Sequence, residues 1–281
     1  MRGPTAVARR SVLYVVLTIV AVFTVAPLLY AFFAAFKPLN EILSNGAQLL
    51  PQTWTIQNFV HVWQIGNFGR YFGNSVFVTA SVVLLDLVSS SMLGYLLARR
   101  LLPGGRALSG LMASVLFLGV GTATLYPRFV IADWLGVDNL VGVVLVELSG
   151  MTVVHTFLIR GFVQSLPTEI EDAARVDGAG LWRMYWRVMF PLMRPILATT
   201  VILGFQGAWN AFQSPYVFTL SAPEQRTLVV AVYALRSTSE GTQAYDLMLA
   251  GAVVIIIPVT VVFFLLQRYF IRGLTEGSIK G

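Results

Sequence analysis

The 281-residue chain is 57% hydrophobic and 11% charged, with a mean hydropathy of +0.76, which excludes an ordinary soluble domain because too little polar surface remains to cover one. It contains no cysteine, so a disulfide framework and a thiolate metal site are excluded too. The net charge of +6 points to nucleic acid only if the basic residues gather for that purpose, and their placement follows membrane topology instead.

Six apolar stretches are long enough to be read against the roughly 20 residues that cross a bilayer core. The first, Ser11 to Phe36, has 26 uncharged residues, longer than the roughly 7–15 of a signal-peptide core, and is expected to be a retained helix. An outer loop, residues 37–70, follows with Trp54 and Trp63, expected to be interfacial anchors. The second stretch, Tyr71 to Ala98, carries only Asp86, and the third, Ala107 to Pro127, carries no charge. The fourth, Asn139 to Ile159, carries Glu147 and His155. The fifth and sixth, Ile196 to Phe218 and Leu247 to Leu266, are uncharged and are separated by a second outer loop, residues 219–245. Continuous runs of this length do not suit barrel strands, which alternate over about 10 residues. The predicted fold is an all-α integral membrane protein, one domain over 1–281 with six transmembrane helices.

Lys and Arg are distributed unequally between the two sides, fourteen against five. The richer side holds the N-terminus, Arg99, Arg100, Arg106, the segment 160–194 and the tail, so the positive-inside rule places both termini in the cytoplasm.

Between the fourth and fifth stretches the chain reads EDAARVDGAGLWRMYWRVMFPLMRP. Thr168 and Glu171 have capping-box spacing and predict a helix starting near Glu169. Glu169, Glu171 and Asp172 place negative charge in its first turn, where the helix dipole favours it. Gly178 is expected to end that helix in the left-handed conformation. A second helix from Leu181 to Pro191 presents Trp182, Tyr185, Trp186 and Met189 at three- and four-residue spacing. The first half, acidic and with small Ala173 and Ala174, suits a partner's groove better than an anionic lipid surface. The second half suits an interfacial brace.

The pattern Asp172-Ala173-Ala174, then Gly178, then Val188-x-Phe190-Pro191 resembles the EAA loop of permease subunits of bacterial ABC importers. Its surroundings are similar to the version in carbohydrate importers of the maltose type. Asn74-Ser75-Val76, Gly94 to Arg99, Trp209-Asn210-Ala211-Phe212 and Gln267 to Leu274 extend the resemblance over the whole chain. It departs from the usual pattern in having Asp172 for Glu, and Val188 and Phe190 for Ile and Leu. The resemblance implies a type I importer permease fold, the six-helix permease of a pair, with a coupling helix seated on an ATPase through Glu169, Glu171, Asp172, Ala173, Ala174, Arg175, Asp177, Gly178 and Pro191. The implied partners are a homologous permease forming a heterodimer, two ATP-binding cassette ATPases and an extracytoplasmic solute-binding protein in a bacterial cytoplasmic membrane. Its implied cargo is a sugar, oligosaccharide or related polyol derivative, a glycerophosphodiester included.

This chain is not expected to be an enzyme or to hold a cofactor. Lys37 and Lys280 are its only lysines, and neither stands in a phosphate-binding G-x-x-x-x-G-K-[ST] motif, so ATP and magnesium are expected on the partner ATPases. No metal site is expected, because His61 and His155 are far apart in the predicted topology. Gln206, Trp209, Asn210 and Gln213 fall at i, i+3, i+4 and i+7, one helical face whose amides and indole suit a polyol path, though such residues also join transmembrane helices. The rival reading is a proton-coupled secondary transporter using Asp86 and Glu147, since acids inside membranes often mark proton relays.

Overall fold

In a bilayer, a continuous apolar run satisfies its own backbone only as a helix, and the computed structural model follows that rule. It describes residues 4–45, 48–65, 67–118, 121–236 and 244–276, and its longer elements are all helices. In chain order these are α1 (Pro4–Ala34), α2 (Leu39–Ser44), α3 (Gln57–Ile65), α4 (Phe68–Ala98), α5 (Gly105–Leu118), α6 (Leu125–Trp134), α7 (Leu140–Ser165) and α8 (Glu169–Val176). They continue with α9 (Leu181–Leu192), α10 (Arg194–Trp209), α11 (Gln213–Phe218), α12 (Leu228–Ala234) and α13 (Tyr245–Glu276).

Among the described residues four segments are individually long and apolar enough to cross a membrane: Val12–Ala34, Phe68–Ala98, Leu140–Ser165 and Tyr245–Leu265. The pair α9 and α10, bent by 77° at Met193, passes the same test of length and composition only when the two are counted together. Two of the six expected spans are therefore not single helices. The third is divided between α5 and α6, with a tight helical turn at Gly121–Thr124 between them. The fifth stops at Trp209 and restarts at Gln213. Hydropathy counts apolar residues and does not register either break.

The chain divides into two compact units, Met1–Phe68 with Ala231–Ile256, and Gly69–Val230 with Ile257–Gly281. In the first, the membrane helix segment Val12–Ala34 buries none of its most apolar window inside the chain, which leaves that surface to lipid or another subunit. The loop after it is ordered by polar bonds. Asn58 Nδ2 donates to the carbonyls of Ala35 (2.9 Å) and Lys37 (2.8 Å), and Glu41 accepts from the backbone N–H groups of Gln52 (2.8 Å) and Thr53 (3.2 Å). Fully buried Lys37 donates to the Gln48 carbonyl. Trp54 is 59% exposed and sets its ring edge-on to Phe33, so it covers the top of the helix rather than entering a core.

The second unit carries two apolar cores. One gathers Val78 and Val82 of α4, Ala132 of α6, Val143 and Val144 of α7, Ala208 and Phe218. The other gathers Tyr95, Ile159, Val163, Tyr185, Met189, Met193 and Leu197, and it positions the segment between α7 and α10. Helices α4 and α7 approach closely at Gly94, where a Cβ would lie 2.8 Å from Ile159 Cγ2 and 3.1 Å from the Thr156 carbonyl. The Asn74-Ser75 pair has a defined use: Asn74 Nδ2 donates to the carbonyls of Glu224 and Arg226, each at 3.0 Å, and Ser75 Oγ accepts from Leu228 N–H at 2.8 Å.

Candidate coupling segment and polar path

Helix α8 forms where the acidic first turn and Gly178 predict it, but the capping box does not. Thr168 makes no side-chain cap bond; only its carbonyl accepts, from Glu171 N–H (2.9 Å) and Asp172 N–H (3.1 Å). Glu171 turns inward instead, and its residue is 2% exposed. Arg99 Nε donates to Glu171 Oε1 at 2.5 Å, Tyr95 Oη donates to Oε2 at 3.0 Å, and Arg99 Nη2 donates to the Leu166 carbonyl at 3.1 Å. A buried carboxylate is tolerated only with such partners. The arrangement ties α8 to the ends of α4 and α7. The spacing rule failed because a carboxylate three residues after Thr168 serves equally well to reach a buried arginine.

The helix ends in a Schellman motif. Ala179 N–H donates to the Ala174 carbonyl at 2.9 Å and Gly178 N–H to the Arg175 carbonyl at 3.0 Å, with Gly178 at φ +76°. Ala174 and Ala179 pack on the Tyr95 core, whereas Glu169, Asp172, Ala173, Arg175 and Asp177 are exposed. Asp172 and Arg175 pair at 3.0 Å on that open face, a contact that contributes about 1 kcal/mol at most in water and leaves both groups accessible. Val176 is 88% exposed.

Helix α9 supports this segment from the other side. Tyr185 is buried, its hydroxyl 2.7 Å from Ser91 Oγ and its ring 5.9 Å from that of Tyr95. Trp182 and Trp186 stay exposed, as expected of a brace. The turns widen from Met184 to Met189 just before Pro191, whose ring donates no hydrogen bond and crowds the carbonyl four residues back. The bend at Met193 falls between Pro191 and Pro195, each of which removes a helical N–H donor.

The four residues expected on one face do not share one. Trp209 is the last residue of α10, and Asn210 caps it, Nδ2 donating to the Gln206 carbonyl at 2.8 Å. Trp209 is 3% exposed, stacked on Phe205 at 5.6 Å and edge-on to Phe72 at 5.7 Å, so its indole is a packing element in this chain. Gln206 borders an apolar cavity between α10 and α13. Gln213 opens instead into a cavity of about 820 Å³ with Thr124, Arg128, Glu147, Phe212 and Ser214. The break after Trp209 separates them.

The intramembrane acids are satisfied internally. Asp86, 2% exposed, accepts from Thr152 Oγ1 at 3.0 Å and lies 2.5 Å from His155 Nδ1. Thr152 and His155 lie one turn apart on α7, so the pairing fastens α7 to α4. Glu147 accepts a hydrogen bond from Ser214 Oγ, and Arg160 donates to Ser109 Oγ at 3.2 Å. Among the described residues no cluster of three or more His, Cys, Asp or Glu could hold a metal. Arg99 and Tyr95 are the site residues that spacing did not reveal as partners; Arg99 at the end of a span reads in sequence as a topology charge.

Comparison with known proteins gives a consistent placement. The sequence model of the family described as "Binding-protein-dependent transport system inner membrane component" matches residues 6–276. The chain is 35% identical over 265 residues to the arabinooligosaccharides transport system permease protein AraQ of Halalkalibacterium halodurans, covering 93% of each chain. It is 30% identical over 264 residues to the diacetylchitobiose uptake system permease protein NgcG of Streptomyces coelicolor, covering 92% of this chain and 85% of that one. A crystal structure of a bacterial ABC transporter involved in the import of the acidic polysaccharide alginate superimposes with a TM-score of 0.84 at 25% identity, covering 96% of this chain and 99% of that chain. Together with the helical fold, these matches show that the chain belongs to the binding-protein-dependent transport system inner membrane components, the non-catalytic permease subunits of ABC importers.

Proposed function

We propose that this permease carries a sugar or oligosaccharide inward, with ATP and magnesium bound on two ATPase subunits, one of which docks on α8. The observation that carries this reading is the split character of α8. One face is locked to α4 and α7 through Glu171, and the other offers Asp172, Ala173, Arg175 and Asp177 to solvent. A short helix held rigidly at its base and open at its tip transmits a partner's displacement into the membrane helices, as rocking of alternating access requires. Glu171 acts as the internal anchor, Gly178 as the elbow, and Pro191 with Pro195 flanks the bend at Met193. Gln213 presents its amide to sugar hydroxyls in the large cavity, Asn210 caps the helix end before it, and Trp209 packs that end in place.

The carbohydrates for which AraQ and NgcG are named support the carbohydrate class. The excess of Arg on the 160–194 side supports a cytoplasmic location for that segment and both termini. A homologous permease completes the membrane unit, and a solute-binding protein delivers cargo to loops 37–70 and 219–245.

The test is co-purification from detergent-solubilised membranes. Wild type is expected to bring down an ATPase and a second permease, and Asp172→Lys to keep the second permease while losing most of the ATPase. Undiminished ATPase recovery after deletion of residues 169–178 would overturn the docking assignment.

A further inference from the structure

A cavity of about 470 Å³ lies where α4 ends and α5 begins, beside the last turns of α7, and it takes no part in the coupling contacts. Arg100, Arg106 and Arg160 line it, with Ser109 and the backbone of Gly104 and Gly105. Among the described residues no carboxylate forms an ion pair with any of these three arginines, whereas neighbouring Arg99 is neutralised by Glu171. Three guanidinium groups around one concavity at a membrane boundary repel one another unless an anion sits between them.

Two backbone features sharpen the point. Helix α4 ends in a Schellman motif, Leu101 N–H to the Leu96 carbonyl (3.0 Å) and Arg100 N–H to the Leu97 carbonyl (3.4 Å). The residue in its left-handed position is Arg100, at φ +56°, where glycine is usual. Such a conformation costs a non-glycine residue about 1 kcal/mol or more, so the arginine is held there against local preference. Arg106 lies in the first turn of α5, a 14-residue helix, where the dipole disfavours a cation and favours an anion. The positive-inside bias explains basic residues on this side of the chain; it does not explain their convergence on one cavity, nor a cation in that turn.

We propose that this cavity is an anion site that holds the phosphate of an acidic phospholipid headgroup. The lipid source follows from location. Helix α4 has 31 residues and α7 has 26, both longer than the roughly 20 needed for the hydrocarbon core, so their ends reach headgroup depth. Basic pockets between transmembrane helices at that depth bind anionic headgroups. Arginine gives forked donors to phosphate oxygens, Ser109 adds a hydroxyl, and the lipid's acyl chains run along the part-exposed Leu96 and Leu102. The site requires only that the chain is an inner-membrane component, and does not depend on the cargo or on the docking of α8.

The experiment measures lipid retained by the full chain, purified with its partner subunits from equal phosphatidylglycerol and phosphatidylcholine. Wild type is expected to retain phosphatidylglycerol preferentially. Combining Arg106→Gln with Arg160→Gln is expected to lower that retention at least about tenfold, the scale of one lost charge-assisted bond. Arg106→Lys, which keeps the charge, is expected to retain most of it and serves if the double variant fails to assemble. Arg187→Gln, an exposed arginine of α9, is expected to leave it unchanged. Equal retention of the two lipids by wild type, or an equal fall in Arg187→Gln, overturns the site. A wash with inorganic phosphate separates the sources: phosphatidylglycerol that remains supports the lipid, and its complete displacement by phosphate overturns the lipid assignment in favour of a free anion.

Discussion

Arg99 and Glu171 lie 72 residues apart in sequence and meet at 2.5 Å beneath α8, with Tyr95 on the second carboxylate oxygen. Removing one member of a buried pair leaves the other charge without its counter-ion, which costs about 3–5 kcal/mol. Arg99→Gln and Glu171→Gln are each expected to lower the unfolding midpoint of the assembled permease and weaken its response to ATP. The double variant should lose less than the sum, by a coupling of about 1–3 kcal/mol. Strictly additive losses in a thermal-unfolding cycle would show that the pair does not anchor α8.

Gly178 at φ +76° has open space for at least 4 Å around the point where a Cβ would stand, so a side chain there meets strain and not a clash. Gly178→Val is therefore expected to distort the Schellman turn at a cost of about 1–3 kcal/mol and to uncouple ATP hydrolysis from transport. Gly178→Asn should be milder, because asparagine tolerates the left-handed region. Equal transport-coupled ATPase activity in Gly178→Val and wild type would remove the elbow from the mechanism.

Gly94 makes the opposite case, one of space alone. A methyl group there would press on Ile159 and the Thr156 carbonyl, so Gly94→Ala is expected to destabilise by about 1–3 kcal/mol. The Gly94→Ala/Ile159→Ala double variant should lose less than the sum of the two single changes, because the added methyl then fills part of the space Ile159 vacates, whereas Gly150→Ala, with open space around it, should be nearly silent. Unfolding midpoints in one detergent decide it, and an effect at Gly150 as large as at Gly94 would contradict close packing as the cause.

Sequence reading locates the long helices because unbroken apolar runs leave no other way to satisfy the backbone, and it locates α8 because acids and Gly178 mark its two ends. It misplaces Glu171, since spacing three residues after Thr168 serves both a cap and an inward-facing anchor, and only the fold brings Arg99 within reach. It joins Gln206 to Gln213 on one face, since helical periodicity assumes a continuous helix and does not weigh Pro215, whose ring would crowd the Ala211 carbonyl inside the break. Asp86 and His155 read separately as a candidate relay and a packed contact; one turn of α7 carrying Thr152 and His155 turns them into one buried hydrogen-bonded group.

That group yields a prediction against the proton-coupled alternative. Asp86→Asn keeps the shape but removes the charge facing His155, and it is expected to lower stability by about 1–3 kcal/mol. Transport by wild-type proteoliposomes supplied with ATP should persist when an ionophore collapses the proton gradient, and residual transport by Asp86→Asn should persist likewise. Transport abolished by the ionophore with ATP still present would revive a proton relay.

The last prediction separates Gln213 from Trp209, which periodicity places together and the fold keeps apart. Gln213 is exposed to the large cavity beside Glu147 and Ser214, and its loss removes hydrogen-bonding capacity without opening a core. Gln213→Ala is expected to assemble normally and to raise the KM for transported sugar severalfold, one neutral hydrogen bond being worth about 1 kcal/mol. Trp209 fills space between Phe205 and Phe72, and Trp209→Ala is expected to cost about 3–5 kcal/mol and to reduce recovery of the assembled importer. Yield after size exclusion, measured beside initial rates at several sugar concentrations, distinguishes the two. A Gln213→Ala importer with an unchanged KM would move the sugar's contacts away from this cavity. A Trp209→Ala importer recovered at wild-type yield with impaired transport would return the indole to the path.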